Sequence, residues 1–247
     1  MKVAVFRPAD ERIERASELL ASLGVEPVAD PMLAVESTGT TPRTDAEYTI
    51  LTSKTGVEIV ADAGWEPEGK VCAIGTATAD ALRMAGYRVD HVPEEFSSTG
   101  LVAHLADEVP GMRVEVARSD HGSAVLTDGL AENGAYVHET ILYELVRPQQ
   151  AGHSAELAAD GDLAAALFTS SLTIEHFLEA AADRGLREAA VAGLEDGVVG
   201  AIGEPTRATA AAAGIGVDIV PTEATFDALA RAGVDLLDGT AANGPET

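Results

Sequence analysis

Four short runs of hydroxyl and glycine residues are the parts of this chain best suited to chemistry: Thr52-Ser53-Lys54-Thr55, Gly75-Thr76-Ala77-Thr78, Thr169-Ser170-Ser171 and Gly203-Glu204-Pro205-Thr206. Each follows a short apolar run and precedes a helical pattern, so each is predicted to sit where a strand feeds a helix N-terminus. Free backbone N–H groups and hydroxyls converge at such a turn, and the helix dipole adds positive potential, which suits an anion. A single such residue is readily explained as an N-cap. Their recurrence, with a fifth run at Ser97-Ser98-Thr99-Gly100, points to a shared anionic ligand. Arg7 and Arg118 also fall just past predicted strands. With only 16 Lys and Arg against 41 Asp and Glu, basic residues placed there, and Lys54, are candidates for carboxylate or phosphate contact. Tyr143 lies in the strand-like run ILYELV; a phenol there either packs or donates a proton.

Other chemistries find little support. His91, His104, His121, His138, His153 and His176 form no HxxxH or HxH pair, and with one cysteine no metal-ligand set is expected. No G-x-S-x-G, Walker A or G-x-G-x-x-G motif occurs, which argues against acyl transfer, NTP hydrolysis and dinucleotide binding. Cys72 lies inside an apolar strand pattern and reads as a small core residue.

The elements that must position these loops are organised by a repeat. Ala73–Glu95 and Ala201–Glu223 align without gaps at a constant offset of 128 residues, with 11 of 23 positions identical. Each copy reads as a buried strand, a glycine turn, a helix stopped by Gly86 or Gly214, and a second strand ending at proline. Two similar α/β units follow. The N-terminal Lys2–Phe6 strand, Arg12–Leu23 helix and Val25–Val28 strand supply a βαβ start that the C-terminal half lacks. The middle reads as alternating strands (Tyr48–Leu51, Val71–Ile74, Arg88–Val92, Arg113–Ala117, Tyr136–Tyr143) and helices, the pattern of a parallel sheet covered on both faces. The C-terminal half continues with a strand at Leu163–Phe168 and helices at Leu172–Ala182 and Thr225–Leu237.

The expected architecture is therefore α/β, with two similar doubly wound parallel-sheet domains joined by a two-stranded linker. The first domain is discontinuous (residues 1–35 plus 150–240), the second is inserted (44–146), and 241–247 form a flexible tail. The crossings are the unpatterned runs Ala34–Thr44 and Arg147–Ser154, and the anion loops are expected to face a shared cleft.

The chain is 247 residues long and 46% hydrophobic but only 4% aromatic, so its cores must be built from Val, Leu, Ile and Ala. A net charge of −25 repels nucleic acid and anionic lipid, excluding both as partners. The acids are spread over helix faces, the pattern of adaptation to high intracellular salt. No apolar run approaches the roughly 20 residues of a membrane span, and Met1-Lys2-Val3 leads directly into a strand. A cytoplasmic monomer is expected.

Taken together, VAVFRP with Arg7-Pro8, ILTSKTGVE, AIGTATADAL with Gly86, ILYELV with Tyr143, LFTSSLTIEHF, and AIGEPTRAT with Gly214 resemble the uroporphyrinogen-III synthase family over most of the chain and in the same order. The resemblance implies a two-domain enzyme without a cofactor. It would take the linear, multiply carboxylated tetrapyrrole hydroxymethylbilane, expel its hydroxyl as water, and close the macrocycle with ring D inverted. It also implies that Tyr143 is the acid and that Ser53, Thr78, Ser170 and Thr206 line the substrate site, joining Arg7, Lys54, Gly75, Thr76, Ser98, Arg118, Ser171 and Gly203. Phe6-Arg7-Pro8 stands where relatives have Thr-Arg-Pro, and Ser53-Lys54 and Ser170-Ser171 replace Ser-Pro, which leaves those helix starts less rigid. The rival readings are a non-catalytic bilobal protein closing on an anionic metabolite and a regulatory module on the same scaffold.

Overall fold

The computed structural model describes residues 1–242. In chain order the elements are β1 (Lys2–Phe6), α1 (Glu11–Ser22), β2 (Glu26–Ala29), β3 (Ala34–Ser37), β4 (Tyr48–Leu51), α2 (Lys54–Asp62), β5 (Lys70–Ala73), α3 (Thr76–Met84), α4 (Ser98–Leu105), β6 (Arg113–Ser119), α5 (Ala124–Glu132), β7 (Tyr136–Val146), α6 (His153–Ala159), β8 (Ala165–Phe168), α7 (Ser171–Asp183), α8 (Arg187–Glu195), β9 (Val198–Ala201), α9 (Glu204–Ala212) and α10 (Phe226–Ala242). Met1–Ala34 with Val146–Thr247 form one compact unit, and Val35–Leu145 form the other.

The first unit is a four-stranded parallel sheet, β2-β1-β8-β9. β8 and β9 are buried at every residue, which is why they read as continuous apolar runs without alternation. One face packs Phe6 and Phe168 beneath α6, α7, α8 and α9, with their rings stacked at 4.5 Å and Phe177 of α7 edge-on to both. The other face packs Val3, Val5 and Leu167 beneath α1 and α10. α1 follows from its sequence: Asp10 caps it by accepting from the Arg12 N–H at 2.9 Å, and Ile13, Ala16 and Leu20 supply one buried stripe.

The second unit orders its five strands β3-β7-β6-β4-β5, with β7, β6, β4 and β5 parallel. α4 and α5 cover one face over Ile50, Val114 and Val116; α2 and α3 cover the other over Leu51, Val71 and Ala117.

Several expectations are corrected. The Ala34–Thr44 run, read as a plain crossing, supplies β3 and belongs with the second unit from Val35 onward. The expected strands at Arg88–Val92 and its repeat shrink to single bridges, Cys72 to His91 and Gly200 to Ile219. The Asp90 and Asp218 carboxylates accept the Val71 and Val199 N–H groups at 3.0 and 2.8 Å, taking donors a backbone ladder needs. Two helices, α6 and α8, are additions to the expected set. α6 is seven residues long and its start is dictated from elsewhere: the buried Asp30 carboxylate accepts from the Gly152 and Ser154 N–H groups and the Ser154 hydroxyl. α8 lies so close to α6 that a Cβ on Gly193 would fall 1.7 Å from the Ala158 carbonyl oxygen, so only glycine fits. α10 runs into the segment read as a tail, and 243–247 lie outside the described residues.

Candidate functional site

Because the strands within each sheet are parallel, their C-terminal ends lie on one edge, and every candidate residue falls on that edge or on the helix it opens. In the second unit Ser53 follows β4 and caps α2, its Oγ accepting from the Gly56 N–H at 2.9 Å. The Tyr143 phenol donates to the same Oγ at 3.0 Å. These residues are 90 positions apart, and β6 runs between their strands.

A register shift makes the meeting possible. Along the β6 and β7 pair, Arg118 faces Ile141 and Ser119 faces Tyr143, so Leu142 has no opposite number. Strand side chains normally alternate between faces, yet here the consecutive Leu142 and Tyr143 both enter the cluster beneath α2 and α3. The bulge turns Tyr143 toward the end of β4. Its carbonyls are satisfied by the threonines of the Ala34–Thr44 run: the Thr38 and Thr40 hydroxyls donate to Ile141 O at 2.7 and 2.6 Å, and the Thr38 N–H donates to Leu142 O at 3.1 Å. Sequence reading missed this clamp because a Thr- and Gly-rich run without periodicity carries no sign of its partner.

The remaining residues of this unit differ in what they offer. Lys54 opens α2 and has no anionic partner among the described residues. With Thr76 it lines a groove of about 820 Å³ between α2 and α3. Gly75 caps α3 through backbone alone, and no acid occupies the first turn, so the N–H groups there remain available to an anion. Thr78, one turn in, is 4% exposed. The cap of α4 is Ser97, which accepts from the Gly100 N–H at 2.9 Å; Ser98 is the first helical residue beside it. Arg118 is not free. Its buried guanidinium pairs with Glu139 and donates to Ser123 O, passing so close to Gly122 that any side chain there would collide with it. That placement corrects the expectation of a ligand-facing cation.

In the first unit Arg7 leaves the end of β1 with its guanidinium 5.5 Å from the centre of the Phe226 ring. Its Nε is buried without a hydrogen-bond partner, and no carboxylate pairs with it among the described residues. Burial, and secondarily the neighbouring Arg12, lower its pKa from the ordinary arginine value. Ser170 caps α7 in a capping box with Thr173. The Ser171 hydroxyl donates to Pro205 O at 3.2 Å and lies 2.8 Å from the Thr209 hydroxyl, fastening α7 to α9. Gly203 caps α9 through backbone alone, as Gly75 caps α3, but Glu204, paired with Arg207, occupies the first turn of α9 and Pro205 there has no N–H to offer; Thr206 is 4% exposed like Thr78.

Away from this edge, His91 and His104 meet at 3.3 Å, a contact their spacing did not suggest, and Lys70, Tyr48 and His91 surround Glu108. Among the described residues no group of three or more His, Cys, Asp or Glu could hold a metal, and no helix is long and apolar enough to cross a membrane. Burial pushes the Cys72 thiol well above its usual range, as expected of a core residue.

Comparison with known proteins supplies the context. The family profile described as uroporphyrinogen-III synthase HemD matches residues 14–231. A putative uroporphyrinogen-III synthase of Methanothermobacter thermautotrophicus is 32% identical over 199 residues, covering 74% of this chain and 78% of the relative. The uroporphyrinogen-III synthase of Synechococcus elongatus is 31% identical over 144 residues, covering 55% and 54%. Among solved structures, a mutant uroporphyrinogen III synthase from the extremely thermophilic bacterium Thermus thermophilus superposes with a TM-score of 0.65 at 20% identity, covering 97% of this chain and 99% of that one. The uroporphyrinogen-III synthetase of Helicobacter pylori gives 0.64 at 14% identity, covering 95% and 98%. At such identities the structural likeness speaks for the two-domain fold.

Proposed function

The chain belongs to the uroporphyrinogen-III synthase family, cyclising lyases of tetrapyrrole biosynthesis, and we propose that it closes hydroxymethylbilane with Tyr143 as the proton donor. The Tyr143 to Ser53 hydrogen bond carries this reading. In the second unit the phenol shares a sheet edge with the backbone-capped turn of α3 and with Lys54, which has no anionic partner among the described residues; in the first unit Arg7 is likewise without a carboxylate partner among them.

The Tyr143 O–H gives its proton to the terminal hydroxyl of the bilane, which leaves as water, and the substrate becomes an azafulvene cation. The substituted carbon of ring D then bonds to the ring A methylene, forming a spiro intermediate that opens and recloses with ring D inverted. The proton lost as the ring system regains aromaticity returns to Tyr143. Unassisted closure gives the uninverted isomer, so the protein's main contribution is positioning: carboxylates held at several fixed turns set which carbon of ring D reaches the methylene. Gly75, Thr76, Ser98, Gly203, Ser170 and Ser171 contribute backbone and hydroxyl contacts to that grip, and Thr78 and Thr206 shape the turns from within. Arg118 acts at one remove, bracing the β6 end through Glu139.

The protein is also read as a cytoplasmic monomer adapted to high salt, on the strength of its net charge of −25. Sedimentation at low and molar KCl tests this, with compaction expected as salt screens the surface. For the activity, incubation with hydroxymethylbilane followed by oxidation and isomer separation should give type III product. Type I product alone, at the rate of the buffer control, would overturn the assignment.

A further inference from the structure

We propose that Ser53 is a positioning residue for Tyr143, holding the phenol by accepting its proton at rest and stabilising the tyrosinate by donating to it during the reaction. The inference rests on Tyr143 being the acid. Ser53 Oγ already accepts two hydrogen bonds, from the Gly56 N–H at 2.9 Å and from the Tyr143 phenol at 3.0 Å, so both lone pairs are engaged and its own proton remains to be placed. The helix cap fixes the oxygen; only rotation about the Cβ–Oγ bond is free.

At rest the Tyr143 proton points at Ser53. When a substrate hydroxyl arrives, the phenol O–H turns to it and the Ser53 O–H turns to the phenol oxygen. As the Tyr143 O–H bond breaks and the proton leaves in water, the negative charge on the phenol oxygen finds a donor in place, and the arrangement reverses when the proton returns. Tyr143 is 6% exposed, so bulk water supplies that donor poorly. Ser170, the serine in the same place in the first unit, has no aromatic hydroxyl on it: its hydrogen bonds run to Thr173 within its own turn.

Substitutions separate this role from capping. Ser53→Asp keeps an N-cap acceptor, so the melting temperature should stay near that of the unmodified protein, yet a carboxylate cannot donate to a tyrosinate. Since a hydrogen bond to a charged group is worth more than one between neutral groups, Ser53→Asp and Ser53→Ala should each lower kcat roughly ten- to hundredfold with little change in KM. Ser53→Thr, which caps and donates, should restore most of the turnover lost in Ser53→Ala. Full turnover in Ser53→Asp, or no recovery in Ser53→Thr, would overturn the role of Ser53 and leave Tyr143 as the acid if Tyr143→Phe is slow. Full turnover in Tyr143→Phe would overturn both.

Discussion

The two units repeat one another residue by residue across their sheets, and the rows that match and the rows that differ lie on opposite edges. Cys72, Ile50, Val116 and Glu139 stand side by side in the second unit; Gly200, Leu167, Val5 and Ala29 occupy the same places in the first. At the edge where strands begin, the pairing is kept: Arg113 binds Asp45, and its counterpart Lys2 lies 3.6 Å from the counterpart Asp162. At the edge where strands end, it is not. Arg118 is neutralised by Glu139, whereas Arg7, in the same place, has Ala29 at the position equivalent to Glu139 and no carboxylate partner among the described residues, and it lies over Phe226, where the repeat has Ser98. β7 carries the bulge and Tyr143, while its counterpart β2 is four residues long. The lesson is a division of labour: the first unit leaves its cation without a carboxylate partner among the described residues, and the second buries its cation as a brace and presents the Tyr143 phenol.

The largest test of this contrast sets Tyr143→Phe against Ser170→Ala. Affinity should be spread over many carboxylate contacts while proton donation matters only in the transition state, so Tyr143→Phe should lower kcat about 10²-fold with KM nearly unchanged, the low end of general acid help. Ser170→Ala removes a cap without touching an acid, and steady-state assays with isomer analysis should show activity within a few-fold of normal.

Glu139→Gln leaves the Arg118 guanidinium buried without its anion. Chemical denaturation should show a loss of about 1 to 3 kcal/mol; Arg7→Gln, with no close ion-pair partner among the described residues to abandon, should cost less. Ala29→Glu makes the first unit imitate the second by offering Arg7 a carboxylate. KM should rise about tenfold with kcat spared, as expected when one charge-assisted substrate contact is lost. An unchanged KM would show that Arg7 holds no carboxylate.

Thr78→Ala and Thr206→Ala, at matching buried positions, should weaken activity modestly and alike. A neutral hydrogen bond contributes about 0.5 to 1.5 kcal/mol, and the glycine-capped backbone N–H groups remain in each variant. The smallest effect belongs to the edge where strands begin. Arg113 holds the Glu47 carboxyl down to about 2 from its ordinary 4.5. A depressed carboxylate contributes stability that is present above its unfolded pKa and lost as pH falls through the folded one. Thermal melts of Arg113→Gln should therefore match the unmodified protein more closely as pH falls from about 4.5 to about 2, by a small margin because the pair is exposed.

Much of this was written in the linear chain. The repeat fixed the equivalence of the two units in advance, because an offset of 128 residues held across a strand, a glycine turn and a helix constrains the same three-dimensional module twice. Hydroxyl and glycine residues after buried strands located the strand-to-helix turns, since caps and turns are local and are legible wherever they occur. The parallel sheet was legible because strands buried on both faces must be apolar throughout.

Only the tertiary structure decided which of these groups are available. Arg7 and Arg118 read identically as arginines past strands; on the neighbouring strand Glu139 pairs with Arg118, while the equivalent position beside Arg7 is Ala29, and that register is a property of folded strands. The Leu142 bulge of the β6 and β7 pairing, which brings Tyr143 to a Ser53 that is 90 positions away, and the threonines of a patternless run that satisfy the Ile141 carbonyl from 103 and 101 positions away, are likewise products of the folded sheet. The short α6, nucleated on the Asp30 carboxylate, belongs to the same class. Local periodicity reports which face of an element is buried. It does not report what lies across from it, because that partner is chosen by packing and hydrogen-bond satisfaction over the whole domain.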